Sequence, residues 1–195
     1  MKKIISLFKR DYEDTRQVFN EVLSGAEWVT NGEGVATVKI DGTSCLVRDG
    51  KLFKRYDAKA GRQPPAGFEP AQAPDPITGH YPGWLPVSEN DNGDRWHREA
   101  FAQYENLANG TYELIGEKVQ GNPYGITGHK LIRHGEWLFE SEPPRTFDEL
   151  KKWFETNNVE GIVWHHPSGD MVKIKRRDFG FKWGGSVSKS VPNKA

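Results

Sequence analysis

Apolar and polar residues alternate along several short segments of the chain, and this period-two pattern predicts β-strands. Two of these segments flank Asp49-Gly50, a strong signal for a two-residue hairpin turn. A third ends at Asp41-Gly42, a pair that breaks strands. The predicted strands span 34–40, 43–47, 51–56, 111–118, 130–132, 137–139, 160–166 and 171–177.

Helical spacing of apolar residues predicts helices at 12–23, 94–107 and 146–157. Thr146 and Glu149 have the spacing of a capping box, which marks where the third helix begins. Residues 130–132 and 137–139 flank His134-Gly135 and are predicted to form a hairpin. The Pro- and Gly-rich residues 61–93 predict a long surface excursion.

Length and composition narrow the class of protein. A chain of 195 residues fits one domain, expected at 1–185, followed by a flexible polar tail at 186–195. A single cysteine excludes an internal disulfide framework and favours a reducing, cytoplasmic compartment. The sequence contains no apolar run near the roughly 18 residues of a membrane helix. We therefore expect no membrane partner.

Lys39 is the first candidate for chemistry. It stands near the end of an alternating strand, so it faces a cleft while Val38 and Ile40 face the core. A lysine must lose its proton before it attacks phosphorus, and nearby positive charge and desolvation both favour that loss. The tetrapeptide Lys39-Ile40-Asp41-Gly42 is weak evidence when taken alone.

The two strands near the end of the chain carry the next candidates. Alternation predicts Glu160 on one face with Ile162 and Trp164, and Lys173 and Lys175 on one face with Arg177. The net charge is zero, but residues 171–189 hold six cations against one acid. Such a cluster either binds a polyanion or forms a solvated edge strand that its lysines protect.

Glu113 lies inside a predicted strand, where a carboxylate is costly to bury unless it is paired. A ribose hydroxyl, a metal ion or one of the basic residues could be its partner. The pattern leaves these alternatives open.

The order of these segments resembles the motif series of the covalent nucleotidyltransferases, which include ATP-dependent RNA ligases, DNA ligases and mRNA capping enzymes. EWVTNGEGVATVKIDGT, GTYELIGEKVQGNPYG and EGIVWHHPSGDMVKIKRRDFG are similar to a compact RNA ligase group of phages and bacteria. The resemblance implies an α+β nucleotidyltransferase (ATP-grasp-like) fold, with mainly antiparallel sheets flanked by helices. About twenty residues follow Lys175, so we expect no OB domain.

Roles for individual residues follow from the same resemblance. It implies that Lys39 is the nucleophile that takes AMP from ATP. The other nucleotide-binding positions that it implies are Asp41, Arg55, Glu113, Glu160, Lys173 and Lys175. It also implies Mg²⁺ or Mn²⁺, with Glu160 as a direct or water-mediated ligand.

The implied reaction joins the 5′-phosphate and 3′-hydroxyl ends of RNA, catalysed by a monomer. Three alternatives remain: a DNA end-joining ligase, a capping-type guanylyltransferase, and a binding module that has lost the chemistry. The joint presence of Lys39, Glu113, Glu160, Lys173 and Lys175 argues against the last of these.

Overall fold

The computed structural model of the chain describes residues 4–59, 61–76 and 79–184, so the predicted tail at 186–195 lies outside the described residues. The described part is a mixed α/β protein whose sheets are mostly antiparallel. Its strands, in chain order, are β1 (Ile5–Ser6), β2 (Phe8–Arg10), β3 (Val18–Val22), β4 (Val35–Lys39), β5 (Thr43–Arg48), β6 (Lys51–Ala58), β7 (Glu69–Pro70), β8 (Tyr81–Pro86), β9 (Gly110–Gly116), β10 (His129–Arg133), β11 (Gly161–His165) and β12 (Met171–Lys175).

Helices are few and short in the described residues. They are α1 (Glu27–Thr30), α2 (Arg95–Phe101) and α3 (Phe147–Thr156), and 3₁₀ turns cover Asn92–Asp94 and Arg176–Phe179. The chain divides into two compact units. The inserted unit is the continuous segment Asp41–His134, and the flanking unit is formed by 4–40 and 135–184.

The inserted unit is built on a six-stranded antiparallel sheet in the order β10-β9-β5-β6-β8-β7. Its core includes Cys45, Val47, Tyr112 and Leu114, with Ala100 of α2. The hairpin predicted at Asp49-Gly50 is confirmed, because β5 pairs with β6 on either side of it. The surface excursion predicted at 61–93 is wrong in part, since β8 lies within it as a sheet strand.

The flanking unit is built on a four-stranded sheet in the order β1-β12-β11-β4. β1 pairs parallel with β12, and the other pairs are antiparallel. Ile162, Trp164 and Ile174 are fully buried in its core, where Leu150 and Phe154 of α3 join them. Helix α3 confirms the helix predicted at 146–157, and β11 and β12 confirm the last predicted hairpin.

The helix predicted at 12–23 is wrong, because this segment forms a turn followed by β3, which pairs with β2. The Asp11 carboxylate accepts hydrogen bonds from the backbone N–H groups of Asp14 and Thr15, both at 3.1 Å, and these bonds close the turn. Val18 and Val22 stand four residues apart, a spacing that fits a helix and a strand equally well. Residues Val18–Val22 form a strand because they pair with β2.

The hairpin predicted across His134-Gly135 is also wrong. β10 pairs with β9 instead, and the chain after Gly135 turns to β4. There the Val38 N–H donates to the Trp137 carbonyl at 2.7 Å, and Leu138 bridges to Thr37. The second predicted helix, at 94–107, is confirmed only in its first half, as α2.

Candidate functional site

Lys39 is the last residue of β4, in the flanking unit. Its Nζ donates a hydrogen bond of 2.6 Å to Glu160 Oε2, and 21% of the side chain is exposed. The neighbours Val38 and Ile40 are buried, as the alternation predicted. The amine is therefore held in place by a carboxylate, on a side chain that is partly exposed.

Glu160 contacts two lysines at once. Its Oε1 lies 3.3 Å from Lys175 Nζ, while its Oε2 receives the bond from Lys39. The prediction that Glu160 shares a face with Ile162 and Trp164 is wrong, because β11 begins only at Gly161. The carboxylate is buried, so it depends on these two ammonium groups for compensation.

Lys173 is the cation of this group that lacks a partner. It lies two residues from Lys175 on β12, and no described residue forms an ion pair or hydrogen bond with its ammonium group. Burial, and after it the charges of Lys175 and Lys39, lower the pKa of Lys173 to about 8. Burial and the charge of Lys39 likewise lower the pKa of Lys175.

Gly161 lies between the two lysines that contact Glu160, because it pairs with Lys39 on β4 and with Lys175 on β12. A Cβ at this position would lie 2.3 Å from the Ile174 carbonyl oxygen. A glycine inside a strand often marks such a close approach. Sequence analysis did not single out Gly161, although this signal was present in the EGIV segment.

The remaining predicted site residues belong to the inserted unit. Glu113 lies on β9, is buried, and its Oε2 lies 2.7 Å from His134 Nε2. The backbone N–H of Asp41 donates to Tyr124 Oη at 2.6 Å. Arg55 lies on β6, where its guanidinium is 5.2 Å from the centre of the Trp84 ring and burial lowers the pKa of Arg55.

Gly42 explains why the Asp41-Gly42 pair can pack against β9. A Cβ at Gly42 would lie 2.2 Å from the Leu114 carbonyl oxygen and 2.8 Å from Glu113 Cγ. Only a residue without a side chain fits in that space. Gly42 is therefore held at the strand that carries Glu113.

The predicted residues thus fall into two groups. Lys39, Glu160, Lys173 and Lys175 come together in the flanking unit, while Asp41, Arg55 and Glu113 belong to the inserted unit. Three ammonium groups around one carboxylate have an excess of positive charge, which suits a phosphate. In the described residues, no cluster of three or more His, Cys, Asp or Glu side chains is placed to hold a metal ion.

Two comparisons with known proteins agree with each other. A family model described as RNA ligase 1 matches residues 100–191, which include Glu113, Glu160, Lys173 and Lys175. The chain is 28% identical to RNA ligase 1 of Danio rerio, over 90% of this chain and 76% of that protein. It is 27% identical to RNA ligase 1 of Rattus norvegicus, with the same two coverages.

A third relative is RNA ligase 1 of Pongo abelii, which is 27% identical over 76% of this chain and 68% of that protein. Within 4–59, 61–76 and 79–184, no helix has the length and hydrophobicity needed to cross a membrane.

Proposed function

We infer that this chain is an RNA ligase, of the family to which the RNA ligase 1 proteins of animals belong. An RNA ligase acts on RNA ends. From that premise we propose that the chain uses ATP and a covalent lysyl-AMP intermediate, with Lys39 as the nucleophile. We propose further that the chain has a nucleotidyltransferase fold of the ligase and capping-enzyme type and acts as a monomer in the cytoplasm.

The unpaired Lys173 is the observation that carries this mechanism. An ammonium group that is partly buried, lacks a carboxylate partner and faces two other lysines raises the energy of the ligand-free protein. An anion bound beside it would remove that cost. A phosphate next to the Lys39 amine meets the requirement and also places the reacting phosphorus near a nucleophile.

In the first step, Lys39 Nζ attacks the α-phosphorus of ATP. A nitrogen–phosphorus bond forms, the bond between the α-phosphorus and its bridging oxygen breaks, and pyrophosphate leaves. The ammonium proton must be lost first, and Glu160 Oε2 at 2.6 Å is the acceptor that now holds it in a hydrogen bond. Lys173 and Lys175 would neutralise the phosphate oxygens.

In the second step, the AMP moves from Lys39 to the 5′-phosphate of an RNA end. In the third step, a 3′-hydroxyl attacks that 5′-phosphate, the new phosphodiester forms and AMP leaves. Positioning and charge neutralisation contribute most of the catalysis in such transfers. In this proposal Arg55 contacts a phosphate, Glu113 accepts hydrogen bonds from the ribose, and Asp41 completes the nucleotide site.

Glu160 is the residue of this donor set that suits a divalent cation. Its carboxylate contacts Lys39 and Lys175, and Mg²⁺ often binds through one or two carboxylates with substrate phosphates and water. Glu160 would hold Mg²⁺ or Mn²⁺ together with phosphate oxygens. The ion would supply neutralisation of the charge on the triphosphate.

The test is intact-protein mass spectrometry after incubation with ATP and Mg²⁺. The wild-type protein should gain the mass of one AMP, and Lys39→Ala should not. Lys39→Arg keeps the cation and should fold, so it separates loss of the nucleophile from loss of the fold. Lys152→Ala, an exposed position on α3, is the matched control and should be labelled like wild type.

Three results would count against the proposal. An adduct in Lys39→Ala would show that another residue is the nucleophile. Labelling by GTP in preference to ATP would favour the guanylyltransferase alternative. Sealing of DNA ends in preference to RNA ends would overturn the choice of substrate.

A further inference from the structure

Among the described residues, the side chain of Glu113 has one hydrogen-bond partner, and this partner defines its orientation. The carboxylate is buried, with 9% of the residue exposed, and its Oε2 lies 2.7 Å from His134 Nε2. An ionised carboxylate has only acceptors, so the imidazole must carry a hydrogen on Nε2 and donate it. His134 follows directly after β10, which pairs with β9, so the contact joins neighbouring strands.

The other ring nitrogen of His134 has no partner. Nδ1 is buried and forms no hydrogen bond with any described residue. Buried polar atoms in folded proteins are nearly always hydrogen-bonded, so each exception calls for an explanation. Among the described residues, the contact of Nε2 with Glu113 is therefore the one side-chain hydrogen bond of the ring.

Ser44 gives a second, independent observation. It is the direct partner of Glu113 in the pairing of β5 with β9, so both side chains point to the same face of the sheet. Its Oγ is buried and also lacks a hydrogen-bond partner in the described residues. Among the described residues Ser44 therefore gives Glu113 no competing hydrogen bond, and His134 is the side chain that fixes the carboxylate.

The chemistry of Glu113 selects the ligand. Its Oε2 accepts from His134, so Oε1 remains as an acceptor for another donor. Neighbouring hydroxyl groups, as on a ribose, are donors that suit it. A phosphate is a poorer match, because Glu113 would repel it.

We propose that His134 is a positioning residue that orients Glu113 toward the ribose hydroxyls of ATP. The inference rests on the proposed function, because it takes the nucleotide from there. His134 acts through Glu113, by fixing one oxygen so that the other faces the sugar. The 2′-hydroxyl is the group whose recognition should depend on it.

The test compares ATP with 2′-deoxy-ATP in the self-adenylylation of Lys39. The second-order rate constant is measured for each nucleotide, and their ratio reports recognition of the 2′-hydroxyl. Wild type should prefer ATP by about tenfold or more, as expected for a lost hydrogen bond to a charged group. His134→Ala should reduce that ratio toward one, mainly by slowing the reaction of ATP.

Conservative replacement separates positioning from a general structural role. His134→Gln puts an amide N–H close to the place of Nε2 and should restore part of the ratio. In a Glu113→Gln background, His134→Ala should change the ratio little further, because the two residues act as one unit. His80→Ala is the matched control, since it breaks an exposed histidine–carboxylate pair with Asp57 at 2.6 Å.

The outcomes are distinguishable. If wild type forms no adduct, the proposed function fails. If wild type forms the adduct but His134→Ala slows ATP and 2′-deoxy-ATP equally, and Gln restores nothing, only the positioning role is overturned. A thermal unfolding curve for each variant shows whether a uniform loss comes from misfolding.

Discussion

Replacing Lys173 by methionine should make the ligand-free protein more stable while it loses activity. The ammonium group of Lys173 is partly buried, lacks a partner and lies near the charges of Lys175 and Lys39. Methionine keeps a long flexible side chain but removes the charge. The variant therefore lacks the free-energy penalty of a buried ammonium group, which the wild-type protein has until an anion binds.

The pKa of Lys173 gives the size of this cost. It falls from 10.5 to about 8 in the folded protein. At about 1.4 kcal/mol for each pH unit, the penalty for the charged form is about 3 kcal/mol at pH 7, an upper bound for a partly exposed group. Lys173→Met should therefore raise the free energy of unfolding at pH 7 by up to about 3 kcal/mol.

The sign of the pH dependence follows from proton binding. Below pH 8 both the folded and the unfolded chain keep the proton on Lys173, and the penalty is complete. Between pH 8 and 10.5 the unfolded chain binds more protons than the folded chain, so the stability of wild type rises with pH. The advantage of Lys173→Met should shrink to about 1 kcal/mol by pH 9.5.

Urea denaturation at pH 7 and at pH 9.5 measures both quantities. Lys152→Met, at an exposed position on α3, should change stability by less than about 0.5 kcal/mol at either pH. Adenylylation of Lys39 should fall in Lys173→Met and stay normal in the control. A Lys173→Met protein that is no more stable than wild type at pH 7, or whose advantage does not depend on pH, would refute the reasoning.

Two other substitutions probe the framework around the lysines. Gly161→Ala places a Cβ 2.3 Å from the Ile174 carbonyl oxygen, so it should lower the free energy of unfolding by about 1–3 kcal/mol and slow adenylylation. Gly169→Ala is the control, because nothing lies within 4 Å of its Cβ. It should lower the free energy of unfolding by about 1 kcal/mol, because of its positive φ, and leave the adenylylation rate unchanged. Equal rates in the two glycine variants would contradict this. Arg145→Ala removes hydrogen bonds to the Val29 and Gly34 carbonyls at 3.1 and 2.8 Å and should lower the free energy of unfolding by about 2–3 kcal/mol in urea. An unchanged unfolding midpoint would show that these bonds contribute nothing.

The sequence predicted strands best where one face of the strand is buried. In β12, Val172 and Ile174 are fully buried while Lys173 and Lys175 point to the other face, so alternation located the lysines correctly. Prediction failed where local spacing was ambiguous, as in β3. It also failed in β8, because its Pro and Gly residues indicate a loop although Trp84 and Leu85 are buried.

Only part of the site could be predicted from the sequence, and the reason is physical. Lys39, Lys173 and Lys175 could be placed because each belongs to a strand with a clear period. The contact of Glu160 with two lysines could not, because Glu160 precedes the strand and alternation does not govern it. The pairing of His134 with Glu113 depends on which strands are neighbours in the sheet, and local sequence does not encode that choice.

The insertion of one continuous unit into the other has a consequence for synthesis on the ribosome. Asp41–His134 emerges complete before β11 and β12 have been translated, so its six-stranded sheet can form early. The sheet that holds Lys39, the proposed nucleophile, must wait, because β1 pairs with β12 across more than 160 residues of chain. A nascent chain therefore contains Lys39 long before it contains Lys173 and Lys175, the charges that the proposed reaction needs.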